Sequence, residues 1–193
     1  MTALIHHIHL MGAPGAGVTT LGKILAERLS IPHFDTDDYH WFTSDPEPYR
    51  RRRNPDHRRQ LLQADLDAAP QWVLSGSLCG WGDVFVPRFT TVIWCLAPAA
   101  VRVARIRARE AARYAPERLV PGGDLHGVFV KFLEWAAAYD EPSGRVRTRD
   151  FEETWLQTHC YHIPVMTLNG EEPPEVAAEK VLAHLGGLSM PPK

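Results

Sequence analysis

The 193-residue sequence has no apolar run close to the roughly 20 residues that a membrane-spanning helix requires. The longest candidate, residues 92–101, is interrupted by Pro98 and followed by Arg102. No basic segment precedes the apolar stretch near the amino terminus, so a secretory signal is not indicated. The three cysteines are odd in number and scattered, which argues against a disulfide framework. We therefore expect a soluble, cytoplasmic protein with no membrane partner.

The sequence also lacks an excess of charge of either sign. The 21 lysines and arginines and the 23 acidic residues give a formal net charge of −2, which argues against a nucleic-acid partner. Most of the basic residues are arginine, whose planar guanidinium makes paired contacts with phosphate or carboxylate. Because no repeat or low-complexity segment interrupts the chain, its length predicts one domain over residues 1–193.

Short apolar segments alternate with helical patterns along the chain. Strands are predicted near residues 5–11, 33–34, 71–74, 91–96 and 162–168. Helices are predicted at residues 21–29, 101–113, 129–139, 151–158 and 175–185. After the second strand, the sequence of residues 39–60 predicts an irregular or short-helical excursion. Strands joined through helices form right-handed crossovers, so the pattern predicts an α/β domain with a parallel sheet covered on both faces.

Glycines cluster between the first strand and the first helix. The segment reads Gly12, Ala13, Pro14, Gly15, Ala16, Gly17, Val18, Thr19, Thr20. Gly12, Gly17 and Thr19 match the phosphate-binding pattern G-x-x-x-x-G-K-[ST]. Such glycines let successive amides turn toward an anion, and the helix start adds its positive end. We expect this segment to bind a nucleotide and Thr19 to bind Mg²⁺, the alternative being a tight turn that only needs small residues.

Val18 stands where the pattern has lysine. That lysine ordinarily brings a positive charge to the outer phosphates. Lys23 lies five residues further along the helix, about 140° around it and roughly 7.5 Å down its axis, so we expect it to face away. Either another cation enters the site, or phosphoryl transfer is weak.

Carboxylates follow the second strand directly, at Asp35, Asp37 and Asp38. Ligands bind at the carboxyl ends of strands in open α/β sheets, so this position favours a metal or substrate role. A strand-end and helix-capping cluster is the alternative.

Arginines concentrate in two segments. Those from Arg50 to Arg53 indicate a substrate contact, a solvated face or a nucleic-acid patch. The predicted helix at residues 101–113 carries further arginines on one face, which suits either an anion site or an exposed salt-bridged stripe. This helix runs toward a Pro- and Gly-rich segment that predicts a mobile loop, and Arg109 and Arg113 lie nearest to that loop.

Histidines and aromatic residues give weaker signals. The ten histidines show no metal-ligand spacing, which favours structural roles. Trp135 and Tyr139, four residues apart on a helix, form either a core pair or, beneath a lid, the floor of an acceptor pocket.

Together these motifs resemble the P-loop kinases of small metabolites and nucleotides, which include adenylate, shikimate and gluconate kinases. The segment from Phe34 to Asp37 resembles the aspartate motif that ends the second strand of shikimate kinases. The resemblance implies that Asp35 helps to hold magnesium and that Asp37 binds and orients the acceptor hydroxyl. It also implies a three-layer P-loop NTPase fold with strand order 2-3-1-4-5, an acceptor-binding excursion at residues 39–66 and a lid at residues 109–128.

The same resemblance extends to later positions. Ser75 and Gly76 are similar in position to the small-residue substrate turn of these kinases, and Asn169 begins a segment that occupies the place of their adenine-packing loop. Arg149 resembles the second lid arginine of adenylate kinases, whereas Arg109 and Arg113 are expected to neutralise the transferring phosphoryl group.

The implied function is ATP-dependent phosphoryl transfer, with Mg²⁺, to a small-molecule acceptor. A nucleoside monophosphate is the first candidate because of Arg50 and Arg53, and a hydroxylated metabolite is the next because of Asp35 and Asp37. The alternative is a catalytically weak nucleotide-binding sensor, marked by Val18. An RNA-associated protein is the least supported hypothesis, because no aromatic stacking motif accompanies the arginines. The sequence sets no oligomeric state.

Overall fold

A computed structural model gives the structure of residues 5–42, 44, 49, 51–141 and 147–188. Within these ranges, no helix combines the length and the apolar surface that crossing a bilayer requires.

Five strands of the described chain form one parallel sheet in the order β2-β3-β1-β4-β5. They are β1 (His7–Gly12), β2 (His33–Asp35), β3 (Trp72–Ser75), β4 (Thr91–Leu96) and β5 (Val165–Asn169). β1 lies in the centre, between β3 and β4. Because all five strands run the same way, Gly12, Asp35 and Asn169 end at the same edge of the sheet. The predicted parallel sheet and strand order are confirmed.

The helices of the described residues lie around this sheet. They are α1 (Val18–Leu29), α2 (Thr36–His40), α3 (Pro55–Ala68), α4 (Ala99–Arg113), α5 (Pro116–Leu119), α6 (His126–Ala137), α7 (Arg149–His159) and α8 (Pro174–Leu188). Two short 3₁₀ helices, Asp83–Arg88 and Ala138–Asp140, complete the regular structure.

Two apolar cores cover the two faces of the sheet. β4 shows the division: Val92 and Trp94 pack into one core, and Ile93 and Cys95 into the other. Residues of α1 and α8 complete the second core, whereas residues of α3 and α7 complete the first. Successive side chains of a strand point to opposite faces, so the continuous apolar run of β4 reflects burial on both sides. The predicted three-layer architecture is confirmed.

The excursion after β2 is more regular than the sequence predicts. An irregular or short-helical excursion was predicted over residues 39–60; α2 is a short helix that ends in this range, and α3 begins within it, at Pro55. Asn54 caps α3, its Oδ1 accepting from the amide of His57 at 2.8 Å, and proline suits the first helical position. α3 buries only Arg58, Leu62 and Leu66, so its apolar period is too weak to mark its first turns.

The predicted lid, residues 109–128, is divided among the end of α4, the whole of α5 and the start of α6. Arg118 holds the connection after α5, donating from Nε to Oδ1 of Asp124 at 3.0 Å. A cavity of about 550 Å³ lies between α4 and α6, lined mainly by apolar side chains and by no residue of the glycine-rich loop.

Candidate functional site

The loop between β1 and α1 requires glycine at three positions. Gly12, Gly15 and Gly17 have φ values of 152°, 81° and 94°, a region that favours glycine. A Cβ on Gly12 would collide with the carbonyl oxygen of Cys95, and a Cβ on Gly15 would lie 2.6 Å from the carbonyl oxygen of Arg102. The surrounding backbone therefore fixes the path of the loop.

α1 begins with open amides. Gly17 is its N-cap residue, no side chain caps it, and its first turn has no acidic residue. The first amides of a helix have no partner within the helix, and the helix dipole adds positive potential there. The loop and the start of α1 therefore form a site suited to a phosphate group.

Val18 brings no charge to this site. Its side chain is only 8% exposed and packs in the apolar core with Leu21 and Ala16. Lys23 is exposed, and its charge acts on the carboxylate of Asp38. Burial and Asp35 raise the pKa of Asp38, and Lys23 counteracts them, which locates Lys23 near the carboxylates at the end of β2. Neither Val18 nor Lys23 therefore places a positive charge at the loop.

Thr19 and Asp35 meet across the start of α1. The Thr19 hydroxyl donates to Oδ2 of Asp35 at 2.8 Å, and Oδ1 of Asp35 accepts from the amide of Asp37 at 3.0 Å. Asp35 is thus the N-cap residue of α2 and at the same time faces the loop.

These two side chains supply the donor set that Mg²⁺ prefers. Mg²⁺ binds oxygen ligands and is usually held by one or two carboxylates together with substrate phosphates and water. The Thr19 hydroxyl and the Asp35 carboxylate fit that pattern beside an anion site. Among the described residues, no cluster of three or more His, Cys, Asp or Glu forms an all-protein metal site.

Asp37 lies in the first turn of α2 and is accessible to solvent. Protein surrounds it on most sides, and this partial desolvation, with the charge of Asp35, raises the pKa of Asp37 above 3.8. Arg147 and a hydrogen bond from the Trp41 side chain oppose the shift. A carboxylate with a raised pKa takes up a proton more readily, which suits a group that accepts one from a hydroxyl.

Arg147 is a candidate site residue that the sequence did not reveal. Its Nη2 donates to the carbonyl oxygen of Gly12 at 3.0 Å, and its Nε donates to Oε1 of Glu152 at 3.1 Å. The only available signal was Thr148, which caps α7 by accepting from the amide of Phe151 at 3.2 Å. A recognised N-cap residue shows where a helix begins, but it does not show which group the residue before the cap contacts.

Glu152 holds Arg147 from within the core. It is fully buried, and its Oε2 accepts from the Tyr139 hydroxyl at 2.5 Å and from Nε1 of Trp94 at 3.3 Å. The Arg147 guanidinium lies 5.6 Å from the centre of the Trp135 ring. Tyr139 therefore belongs to the core, whereas Trp135 borders the site.

Arg109 and Arg113 share Glu110. Nε of Arg109 donates to Oε1 of Glu110 at 2.8 Å, and Nη1 of Arg113 lies 3.7 Å from the same atom. The Arg113 guanidinium also lies over the Tyr49 ring, 5.7 Å from its centre. Burial raises the pKa of Tyr49, and Asp37 adds to the shift, so Arg113 and Asp37 both border Tyr49. The predicted lid arginines thus face the Asp37 side of the site and make no hydrogen bond to the described loop.

A small cavity of about 160 Å³ lies between the loop and the segment after β5. Thr20, Asn169 and Gly170 are among its lining residues. Arg105 bridges its two walls, because its Nη1 donates to the carbonyl oxygen of Gly170 at 2.7 Å and reaches that of Gly15 at 3.5 Å. Asn169 thus lines a cavity beside the loop, and its contact with a nucleotide base stays a prediction.

Of the two residues of the predicted substrate turn, only Gly76 borders the site. Ser75 is fully buried; its hydroxyl donates to the carbonyl oxygen of Val18 at 3.3 Å and lies 2.9 Å from Nε2 of His33. The prediction that Ser75 contacts substrate is therefore wrong for its side chain, which supports the start of α1. Gly76 packs against Thr36, next to the carboxylates at the end of β2.

Three predicted arginine contacts have different outcomes. Arg53 donates from Nη1 to the carbonyl oxygens of Asp38 at 2.6 Å and Tyr39 at 3.1 Å, so it holds the end of α2 in place of the predicted substrate contact. Arg149 is exposed and lies over the Trp94 ring, so the residue that reaches the loop is Arg147 and not Arg149. Arg50 lies outside the described residues.

Comparison with known proteins agrees with the fold. No protein-family model matches the chain. The chain is 37% identical over 180 residues to the uncharacterized protein YqaC of Bacillus subtilis, covering 93% of this chain and 97% of YqaC. It is 30% identical over 113 residues to cytidylate kinase of Archaeoglobus fulgidus, covering 53% of this chain and 61% of that kinase.

Among solved structures, shikimate kinase from Bacteroides thetaiotaomicron aligns with a TM-score of 0.54 and 20% identity, covering 95% of this chain and 99% of that one. That likeness concerns the fold; in this chain, a glycine-rich loop leads from the central strand β1 into α1. The chain therefore has the fold of the P-loop kinases of small molecules and nucleotides, and it belongs to the family that includes YqaC.

Proposed function

We propose that the protein transfers a phosphoryl group from ATP to a small hydroxyl-bearing acceptor. The observation that carries the proposal is the meeting of three groups at one edge of the sheet. The Thr19 hydroxyl at the start of α1 and the amide of Asp37 both donate to the Asp35 carboxylate, at 2.8 and 3.0 Å, so the open amides of α1, the Thr19–Asp35 pair and the accessible Asp37 lie side by side. Anion binding, oxygen ligands and a proton acceptor are the parts that phosphoryl transfer requires.

On the donor side, the amides of residues 13–19 hold the outer phosphates of ATP. Asn169 and the cavity after β5 receive the base. Thr19 and Asp35 are the residues that would hold Mg²⁺, which when bound neutralises charge on the phosphates. The fixed path of the loop means that these donors need little rearrangement when the nucleotide binds.

On the acceptor side, Asp37 orients the hydroxyl and accepts its proton. Gly76 and Trp135 border this space, and Arg109 and Arg113 approach it from α4. Arg53 is engaged with the end of α2, so the main support for a nucleoside monophosphate is reduced. A hydroxylated metabolite now fits the described residues better.

The experiment is a transfer assay with ATP and Mg²⁺ against a panel of acceptors. The panel holds nucleoside monophosphates, sugars and hydroxylated carboxylic acids, and ADP formation above the acceptor-free rate is measured. We expect at least one hydroxylated compound to raise ADP formation, and Asp37→Asn to abolish the increase. ATP binding with no acceptor-dependent turnover would overturn the proposal.

The second candidate, a catalytically weak nucleotide-binding module, is favoured by one observation, the buried Val18. Under that hypothesis, Val18→Lys creates hydrolysis where the native chain has none. Under the kinase hypothesis, the same substitution changes turnover only modestly, because another cation already serves the phosphates.

A further inference from the structure

Two arginines from outside the glycine-rich loop reach its backbone. Arg105 reaches Gly15 and Gly170 beside the cavity after β5, which is the side of the base. Arg147 reaches the opposite end of the loop, where its Nη2 donates to the carbonyl oxygen of Gly12. The two guanidinium groups therefore serve different ends of the nucleotide site.

Arg147 also lies near the acceptor carboxylate. Burial raises the pKa of Asp37, Asp35 adds to the shift, and the positive charge of Arg147 opposes it. The Arg147 guanidinium therefore contacts the first loop residue, and its charge also acts on Asp37. Under the proposed function, a phosphoryl group travels from the loop toward a hydroxyl held by Asp37, so this cation flanks its route.

The structure holds Arg147 in place without using all of its donors. Nε is bound to the fully buried Glu152, one Nη2 hydrogen is bound to Gly12, and Nη1 makes no hydrogen bond to any described residue. Its backbone has φ 74°, a conformation that costs a non-glycine residue about 1–3 kcal/mol. Strain of this kind persists where the surroundings dictate it, and such positions concentrate at functional sites.

We propose that Arg147, positioned by Glu152, supplies to the phosphates of the nucleotide the positive charge that Val18 does not. This inference rests on the proposed function and names the cation of that site. Arg109 and Arg113 are less suited to this place, because both are held by Glu110 and neither hydrogen-bonds to the described loop. Glu152 acts through Arg147 and is a positioning residue.

The first test measures turnover. Losing one preorganised donor typically lowers kcat about 100- to 1,000-fold, so we expect Arg147→Met to lower kcat by that amount with little change in acceptor KM. Arg147→Lys should retain part of the rate. The control is Arg28→Met, which removes a surface arginine bound to Glu175 and Glu179. A raised acceptor KM with unchanged kcat would place Arg147 in acceptor binding and overturn the proposal.

The second test is rescue. Val18→Lys should restore much of the turnover lost in Arg147→Met, and also of that lost in Glu152→Gln. Thermal unfolding midpoints confirm that each variant is folded. Failure of Val18→Lys to rescue either folded variant would contradict the assignment.

Binding separates this inference from the proposed function. The affinities of the native protein and Arg147→Met for Mg-ATP and for AMP are measured by calorimetry. A selective loss of ATP affinity in Arg147→Met supports the inference even if no acceptor is ever phosphorylated, in which case only the proposed function fails. Equal affinities of the two proteins for Mg-ATP, or no nucleotide binding by the native protein, would overturn the inference.

Discussion

Asp35 divides its two carboxylate oxygens between two tasks. Oδ1 caps α2 by accepting from the amide of Asp37, and Oδ2 accepts from the Thr19 hydroxyl. The capping role and the proposed metal role are therefore compatible in one side chain. Asparagine caps a helix about as well as aspartate, which lets the two roles be separated by substitution.

Asp35→Asn and Asp37→Asn should both reduce phosphoryl transfer without unfolding the protein. Asp35→Asn keeps the cap but removes the charge beside Thr19, and Asp37→Asn removes the proton acceptor. Transfer rates and thermal unfolding midpoints are measured for both variants, with Asp38→Asn as the neighbouring control. If both variants kept full activity, or both simply unfolded, the carboxylates would be structural caps.

At the scale of elements, the sequence predicts the strands and loops whose form depends on residues near them in the chain. The strands and the loop from Gly12 to Thr19 were predictable because burial on two faces and glycine spacing leave marks in the chain itself. α2, with five residues, is shorter than a helical period can reveal. The place of Arg147 depends on a pairing with Glu152 and on a loop 135 residues earlier, which no local pattern encodes.

Asn54→Ala should lower the free energy of unfolding by about 1 kcal/mol, the usual loss when a helix loses its N-cap side chain. The reason is that Oδ1 of Asn54 satisfies the amide of His57 at 2.8 Å. Denaturant unfolding measures the change, and Gln60→Ala, at an exposed position of the same helix, is the control. An unchanged midpoint in Asn54→Ala would show that α3 starts without this cap.

The carboxyl end of α4 carries Arg109 and Arg113, the predicted lid arginines. Arg113→Ala should lower transfer, because it removes the cation that meets Tyr49 on the Asp37 side, and Arg109→Ala should act in the same direction. Rates are measured at saturating Mg-ATP with the acceptor panel. Arg107→Ala, exposed on the same helix, serves as the control. The lid role fails if neither Arg109→Ala nor Arg113→Ala lowers the rate.

At the scale of the whole molecule, the core contains a histidine that stays neutral. His9 is fully buried and stacks on Phe89 at 4.7 Å; its Nδ1 lies 3.2 Å from the carbonyl oxygen of Leu74. That carbonyl can only accept, so Nδ1 carries the proton, and Nε2 has no partner among the described residues. Burial lowers the pKa of His9 from 6.5 to about 4.

Acid should therefore destabilise the fold through His9. As pH falls from 6.5 toward 4, His9 becomes protonated in the unfolded chain but stays neutral in the folded chain. The free energy of unfolding therefore decreases, by at most about 3 kcal/mol. Denaturant unfolding across this pH range should show a smaller decrease in His9→Leu than in the native protein. His40, lowered to about 4, contributes in the same range in both proteins. The exposed His57→Gln is the control, and an identical pH dependence in His9→Leu would contradict the assignment.

The contacts of the glycine-rich loop also determine at what stage of synthesis the site can be complete. Gly12 and Gly17 are synthesised early, but residues that contact the loop are synthesised much later. Arg147 hydrogen-bonds to the carbonyl oxygen of Gly12, and Gly170 lies close to the carbonyl oxygen of Ala16. A nascent chain that ends before residue 147 has the central strand and both of its neighbours, yet it lacks one wall of the nucleotide site and its proposed cation. Under the proposed function, we therefore expect tight nucleotide binding only from a chain that has been translated beyond Gly170.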